Sequence, residues 1–202
     1  MRKRFFQFTA ISAATLIVIF SCISNDNGAT ADKQSDTEMS GTISKDSLIK
    51  RGNYLVSSIG CDDCHSPKTF GPQGPQLDME HRLSGYPANR PVSKVDAASL
   101  KNGWMLFGHD LTSAVGPWGI SFAANITSDS TGIGSWSKVQ FVKAMREGKF
   151  KGLDSTRPLL PPMPWQNFKN LTDEDLSAIF AFLKSTKPVR NVVPAPRPLA
   201  TL

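Results

Sequence analysis

Cysteine, histidine and tyrosine are scarce in this chain: three cysteines, three histidines and two tyrosines among 202 residues. Cys61 and Cys64 stand three apart and Cys22 lies far from both, so no internal disulfide framework staples the chain and its core has to come from packing. No second Cys-x-x-Cys occurs. A structural zinc site needs four nitrogen or sulfur ligands, and beyond Cys61, Cys64 and His65 only His81, His109 and the distant Cys22 remain. No apolar run is long enough to make an obvious spanning helix. The longest, Phe5 to Phe20, covers about 16 residues and is interrupted by Gln7, Thr9, Ser12 and Thr15. Strong charge excess is also missing: the formal charge is +6, and without Arg2, Lys3 and Arg4 it is +3, which removes the main support for a nucleic-acid partner. With 40% hydrophobic and 20% charged residues, the composition suits one globular domain plus extensions.

The chemistry is concentrated in Gly60-Cys61-Asp62-Asp63-Cys64-His65. Two cysteines separated by two residues and followed at once by histidine have the spacing at which both thiols reach the vinyl groups of one haem while the imidazole reaches the iron. A strained disulfide or half of a zinc site beside an unrelated histidine is the plainer alternative. A redox Cys-x-x-Cys belongs between a strand and a helix of a βαβ unit, and no such alternation surrounds this one. One covalently attached haem c is therefore expected, and it adds a large apolar surface for the core to bury.

Arg2-Lys3-Arg4 and the apolar run after it have the layout of an export signal, residues 1–21. The run ends in Ile19-Phe20-Ser21-Cys22, which resembles a bacterial lipobox, so Cys22 is expected to carry lipid and to become the first residue of the mature chain. The alternative is an ordinary signal with an incidental cysteine. Residues 22–43 are polar and small, with almost nothing to bury, and are expected to form a disordered tether. About twenty such residues span roughly 25 Å on average and stretch to about 70 Å.

Order is expected from Ser44, a helix cap. Leu48, Gly52, Leu55 and Ile59 follow at helical spacing on one face and lead into the cysteine motif. Gly52 weakens a helix but lets another approach closely. The expected partner is the last helix, capped by Thr172, opened by Asp173-Glu174-Asp175 in favour of its dipole, and striped with Leu176, Ile179, Phe180 and Leu183. A third helix is expected from Trp136, Val139, Phe141, Val142 and Met145, capped at Ser135 or Ser137 and closed by Gly148. Around it Lys138, Lys143, Arg146, Lys149, Lys151 and Arg157 outweigh Glu147 and Asp154, either as a solvated face or as a docking surface.

Between His65 and Ser135 the chain is rich in glycine and proline and lacks long periodicity. Gly71-Pro72 and Gly74-Pro75 mark a looping segment, and the carbonyl of Pro75 is the expected acceptor for the outer nitrogen of His65. Trp104 to Val115 reads either as a hairpin turning at Gly108-His109-Asp110 or as an irregular loop. Asn125, Trp118, Phe122 and Trp136 are candidates to line a haem edge, although aromatics there also serve as plain packing.

The second decisive stretch is Leu159-Leu160-Pro161-Pro162-Met163-Pro164-Trp165. Prolines on both sides remove backbone donors, hold the loop extended and give the Met163 thioether a fixed direction. Thioether sulfur is a soft ligand suited to haem iron, and a His/Met pair raises the reduction potential. His65 and Met163 are thus the expected axial ligands. Met79, Met105, Met145, His81 and His109 are the rivals, of which Met145 falls on a helical face and reads as core.

The Cys61-Asp62-Asp63-Cys64-His65 motif, the proline-flanked Met163 and the ending Leu171-Thr172-Asp173-Glu174-Asp175-Leu176 through Leu183 together resemble a class I c-type cytochrome. Leu83-Ser84-Gly85-Tyr86-Pro87, the stretch from Gly116-Pro117-Trp118-Gly119 to Thr127, and Thr131-Gly132-Ile133-Gly134-Ser135-Trp136 resemble a bacterial single-haem subgroup with a long insertion. Similar stretches occur in cytochrome subunits of membrane-associated dehydrogenases. The resemblance implies a mainly α cytochrome c fold over residues 44–188, with terminal helices packed around one haem and a long irregular, hairpin-prone insertion. Residues 189–202, with Pro194, Pro196 and Pro198, form an extended tail that either wraps the domain or stays mobile. The resemblance implies an electron carrier with a membrane-associated dehydrogenase or an oxidase as redox partner, and the signal-like start with its lipobox-like Cys22 puts it on the periplasmic side, anchored through lipid. With both axial positions filled, no open iron site is left for substrate chemistry. The rivals are a haem peroxidase and a gas-binding sensor, both of which need a displaceable sixth ligand.

Overall fold

The structure is a computed structural model that describes residues 44–201. The expected export signal over residues 1–21, the expected lipid site Cys22 and the expected tether over residues 22–43 lie outside the described residues. Ser44 caps the first helix, α1 (Lys45–Ser58), by accepting from the backbone N–H of Ser47 at 3.2 Å. Gly60, at φ +84°, then turns the chain into α2 (Cys61–His65). A hairpin follows, β1 (Lys68–Gly71) and β2 (Gly74–Leu77), then α3 (Ala97–Lys101), capped by the carboxylate of Asp96. A three-stranded antiparallel sheet comes next: β3 (Leu106–Phe107), β4 (Ser113–Gly116) and β5 (Gly119–Phe122), in that spatial order. The chain ends with α4 (Lys138–Glu147), α5 (Trp165–Phe168) and α6 (Asp173–Ser185). Among the described residues no helix is long and apolar enough to cross a membrane.

The expected helix caps are all present. Ser137 and Gln140 form a reciprocal capping box at the start of α4, Gly148 closes that helix at φ +64°, and Thr172 accepts from Asp175 N–H at 3.1 Å to open α6. The two terminal helices pack face to face. Gly52 makes this possible, because a Cβ there would collide with the Ala178 carbonyl oxygen and come within 2.6 Å of Phe182 Cβ. Leu55 and Val56 of α1 and Leu176, Ala178, Ile179 and Leu183 of α6 are buried in one core with Leu83, Ile133, Phe141, Met145 and Phe168. Phe180, expected on the buried stripe, is only partly buried and packs against Phe141 with ring centroids 5.4 Å apart.

The middle of the chain is more regular than its composition suggests. Gly71-Pro72-Gln73-Gly74 is the tip of the β1–β2 hairpin rather than an open loop. Leu106 pairs with Val115 and Phe107 with Ala114, so the hairpin option for Trp104–Val115 is the one adopted, extended by β5. Residues beyond α6 are held against this insertion. Arg197 and Ile120 exchange backbone hydrogen bonds at 2.9 and 3.1 Å, and Asn191 donates its side-chain amide to the carbonyls of Ser84 and Tyr86 at 2.7 and 2.9 Å.

Candidate functional site

The short helix α2 presents Cys61 and Cys64 as free thiols one turn apart, both half-buried. Cys61 also touches the main core. Burial, followed by the charge of Asp62, pushes its pKa up to about 12, and burial pushes Cys64 up as well. Thiol–disulfide exchange needs a thiolate stabilised by its surroundings, and these surroundings do the opposite. Among the described residues no three His, Cys, Asp or Glu side chains gather to hold a metal ion by themselves.

His65 Nδ1 lies 2.7 Å from the backbone oxygen of Ala124. A carbonyl only accepts, so Nδ1 carries the proton and donates, which leaves Nε2 as the nitrogen with a free lone pair. Burial holds the His65 pKa below its ordinary value, against the hydrogen bond to Ala124, and this favours the neutral ring. The acceptor is therefore Ala124, not Pro75. Pro75 is tied into β2 opposite Phe70, whereas the chain leaving β5 runs back beside the motif. Gly85 makes that approach close. Its N–H donates to His65 O at 2.7 Å, its φ is +77°, and a Cβ on it would lie 2.5 Å from the Ala124 carbonyl carbon. Nothing local to His65 signals an acceptor 59 positions away.

Three further residues lock the motif, and none was singled out from the sequence. Asp62, buried at 6% exposure, accepts from Arg82 Nε at 2.9 Å, from Arg82 Nη2 at 2.7 Å and from Ser66 Oγ at 2.7 Å. The same guanidinium reaches Asn53 and Ser57 of α1, so it ties the motif helix to the helix before it. Lys68 donates to the carbonyl oxygens of Asp62 at 3.1 Å, of Ser66 at 2.8 Å and of Asp63.

Met163 is half-buried and packs against the core that Cys61 also touches. Its loop is pinned at several points: Leu159 N–H to Gly148 O at 2.6 Å, Ser121 Oγ to Pro161 O at 2.7 Å, and Met163 N–H to Leu160 O at 3.2 Å. Met145 is core, as its helical face implied. Met79 and Met105 are exposed, His81 is paired with Asp78 at 2.7 Å, and His109 sits against the Phe70 ring at 5.1 Å. Of the candidate haem-edge residues, Asn125 is buried and its amide bonds to Thr131, Thr127 and the carbonyl of Val189. Trp118 donates to Ser121, Phe122 packs on Tyr86, and Trp136 packs on the core. The basic cluster is divided: Lys143 pairs with Asp154, Arg146 pairs with Asp173, and Arg157 and Lys151 stack on Phe150.

Two thiols on one helical turn, an imidazole with its outer nitrogen taken by a carbonyl, and a thioether in a pinned loop form a donor set that fits a covalently attached haem. Cys61 and Cys64 would hold it, with His65 and Met163 toward the iron.

No family model matches the chain. Over 149 residues, 73% of its length, it is 44% identical to a subunit of the nicotinate dehydrogenase of Pseudomonas putida. Over 146 residues, 71% of its length, it is 30% identical to the gluconate 2-dehydrogenase cytochrome c subunit of Pantoea cypripedii. Over 189 residues, 92% of its length, it is 26% identical to the fructose dehydrogenase cytochrome subunit of Gluconobacter japonicus. The matched stretches make up 9%, 24% and 30% of those proteins, so the chain spans less than a third of the length of each.

Proposed function

We propose that this chain is a single-haem c-type cytochrome of class I that carries electrons to or from a dehydrogenase and performs no substrate chemistry itself. The observation that carries the reading is the Cys61–His65 helix, with its histidine oriented by Ala124, in a chain whose relatives include cytochrome subunits of dehydrogenases. Haem c bound there supplies a centre that gains and loses one electron at a time. The chain's own residues do the rest. Cys61 and Cys64 would hold the group covalently, and the Ala124 carbonyl holds the His65 ring in one tautomer and raises the basicity of Nε2. Pro162, Pro164 and the Ser121 contact to Pro161 keep the Met163 loop in place, so the thioether has little freedom to swing away. With His65 and Met163 both held toward the iron, the bound group would offer a substrate no vacant position.

The dehydrogenases named among the relatives act on different compounds, so the partner is proposed only as a dehydrogenase, without a substrate. Export, and anchoring through lipid at Cys22 on the periplasmic side, belong to the same reading and rest on the sequence of residues 1–22. Intact mass of the mature protein tests attachment and anchor together. The expected chain begins at a lipidated Cys22 and carries the mass of one haem that survives acid extraction. A mature chain without haem overturns the electron-carrier reading, whereas haem without lipid on Cys22 removes only the anchor.

A further inference from the structure

We propose that Lys68 is a redox-tuning residue: its ammonium, fixed at the end of the motif helix without a paired carboxylate, raises the reduction potential of the centre. The inference rests on the haem reading above. Three carbonyls accept from this ammonium, those of Asp62, Asp63 and Ser66, which bracket His65 along the chain. They match its three donors, and all are neutral. The helix end they belong to is where a cation is best placed. Such a network holds a positive charge in one position beside the histidine turn, and the side chain is partly buried, so water and salt screen it less than a surface lysine.

The surrounding charges leave this one exposed in the electrostatic sense. Asp62 is neutralised by Arg82 at 2.7 Å and Asp110 by Arg90 at 2.5 Å, each a closed pair. Asp63 is solvent-exposed, and only its backbone oxygen meets Lys68. Among the described residues no carboxylate lies within ion-pair distance of Lys68. Burial pulls the Lys68 pKa down, while Asp110, Cys64, Asp63 and Asp62 pull it up, and the three carbonyl acceptors require the protonated form. When one electron arrives from a partner, the charge at the site falls by one, with no bond made and no proton moved. A nearby positive charge favours that reduced state.

The test uses the haem-loaded protein, with its potential read by equilibration against one-electron mediators and its axial ligands monitored by absorption spectra. Lys68→Met should shift the equilibrium toward the oxidised form on the order of tenfold, equivalent to about 59 mV for a one-electron couple. Lys68→Arg, which keeps the charge, should stay close to wild type. Asp63→Asn, at an exposed position that leaves the packing intact, should shift the equilibrium the other way by a smaller factor. Equal potentials for Lys68→Met and Lys68→Arg would show that the side chain acts only as a structural plug and overturn the proposal. If Lys68→Met does not accumulate with haem, Lys68→Gln, which keeps a donor but no charge, takes its place, and a potential equal to that of Lys68→Arg there overturns the proposal just as well. A wild type without covalent haem overturns this inference and the haem reading together, and mass shows that before any potential is measured.

Discussion

Asp62 fills a position the Cys-x-x-Cys-His pattern leaves open, yet it is among the most constrained side chains in the molecule. Burial alone pushes its pKa up, but hydrogen bonds from Arg82 and Ser66, with the charges of Arg82 and Lys68, outweigh burial and hold it below the ordinary carboxylate range. A carboxyl whose folded pKa is depressed adds stability that is complete above its unfolded pKa and is lost as pH falls through the folded value. Unfolding midpoints should therefore drop as pH falls below about 4, and Asp62→Asn should flatten the profile in that window. A variant profile parallel to wild type there would contradict the pairing. Arg82→Met should cost about 3 kcal/mol at neutral pH, because it strands a buried carboxylate. None of this could be read from the sequence. Asp62 and Arg82 are 20 positions apart, and nothing in either residue names its partner.

Helices were the legible elements, because the residues that cap and stripe them lie within a few positions of one another. Ser44, Ser137, Gly148 and Thr172 end or begin helices where local hydrogen bonding requires it. The short strands were legible only in part: the Trp104–Val115 hairpin was one of two readings, whereas β1, β2 and β5 gave no clear signal. Gly71, Pro72 and Gly74 look like loop formers, and only pairing across the hairpin, a non-local event, makes their neighbours strands. The Ala124 carbonyl was missed for the same reason: its place depends on β5 returning to α2. Gly52 separates local propensity from packing most cleanly. Helix propensity alone says that Gly52→Ala stabilises α1 by about 1 kcal/mol. The collision with the Ala178 backbone says that the helices must move apart, and overpacking of this kind costs roughly 1–3 kcal/mol. Urea unfolding should show a net loss of stability. A gain would mean that α1 and α6 do not approach as closely as the structure places them.

Across the described residues, the two regions proposed to hold the haem lie about a hundred residues apart and pack against one core: the motif helix through Cys61 and the proline-flanked loop through Met163. The cysteine–histidine spacing stands out in the sequence because the proposed covalent attachment would require it within five residues. Met163 stands out in the sequence because rigid prolines on both sides distinguish it from five other methionines, and its place toward the iron is part of the proposal. The partner's class, a dehydrogenase, was legible only through resemblance, and its identity was not, since recognition of another protein is spread over surface residues that share no short motif. In the relatives the matching stretch is one part of a longer protein.

The proposed role stands or falls with closed His/Met ligation, and near-infrared absorption of the oxidised wild-type protein tests it most directly. The weak charge-transfer band of an iron–sulfur bond should be present, vanish in Met163→Ala, and persist in His81→Ala and His109→Ala. Carbon monoxide should bind reduced Met163→Ala and not reduced wild type. A wild-type spectrum that is high-spin or bis-histidine, or that responds readily to carbon monoxide, would contradict the electron-carrier account.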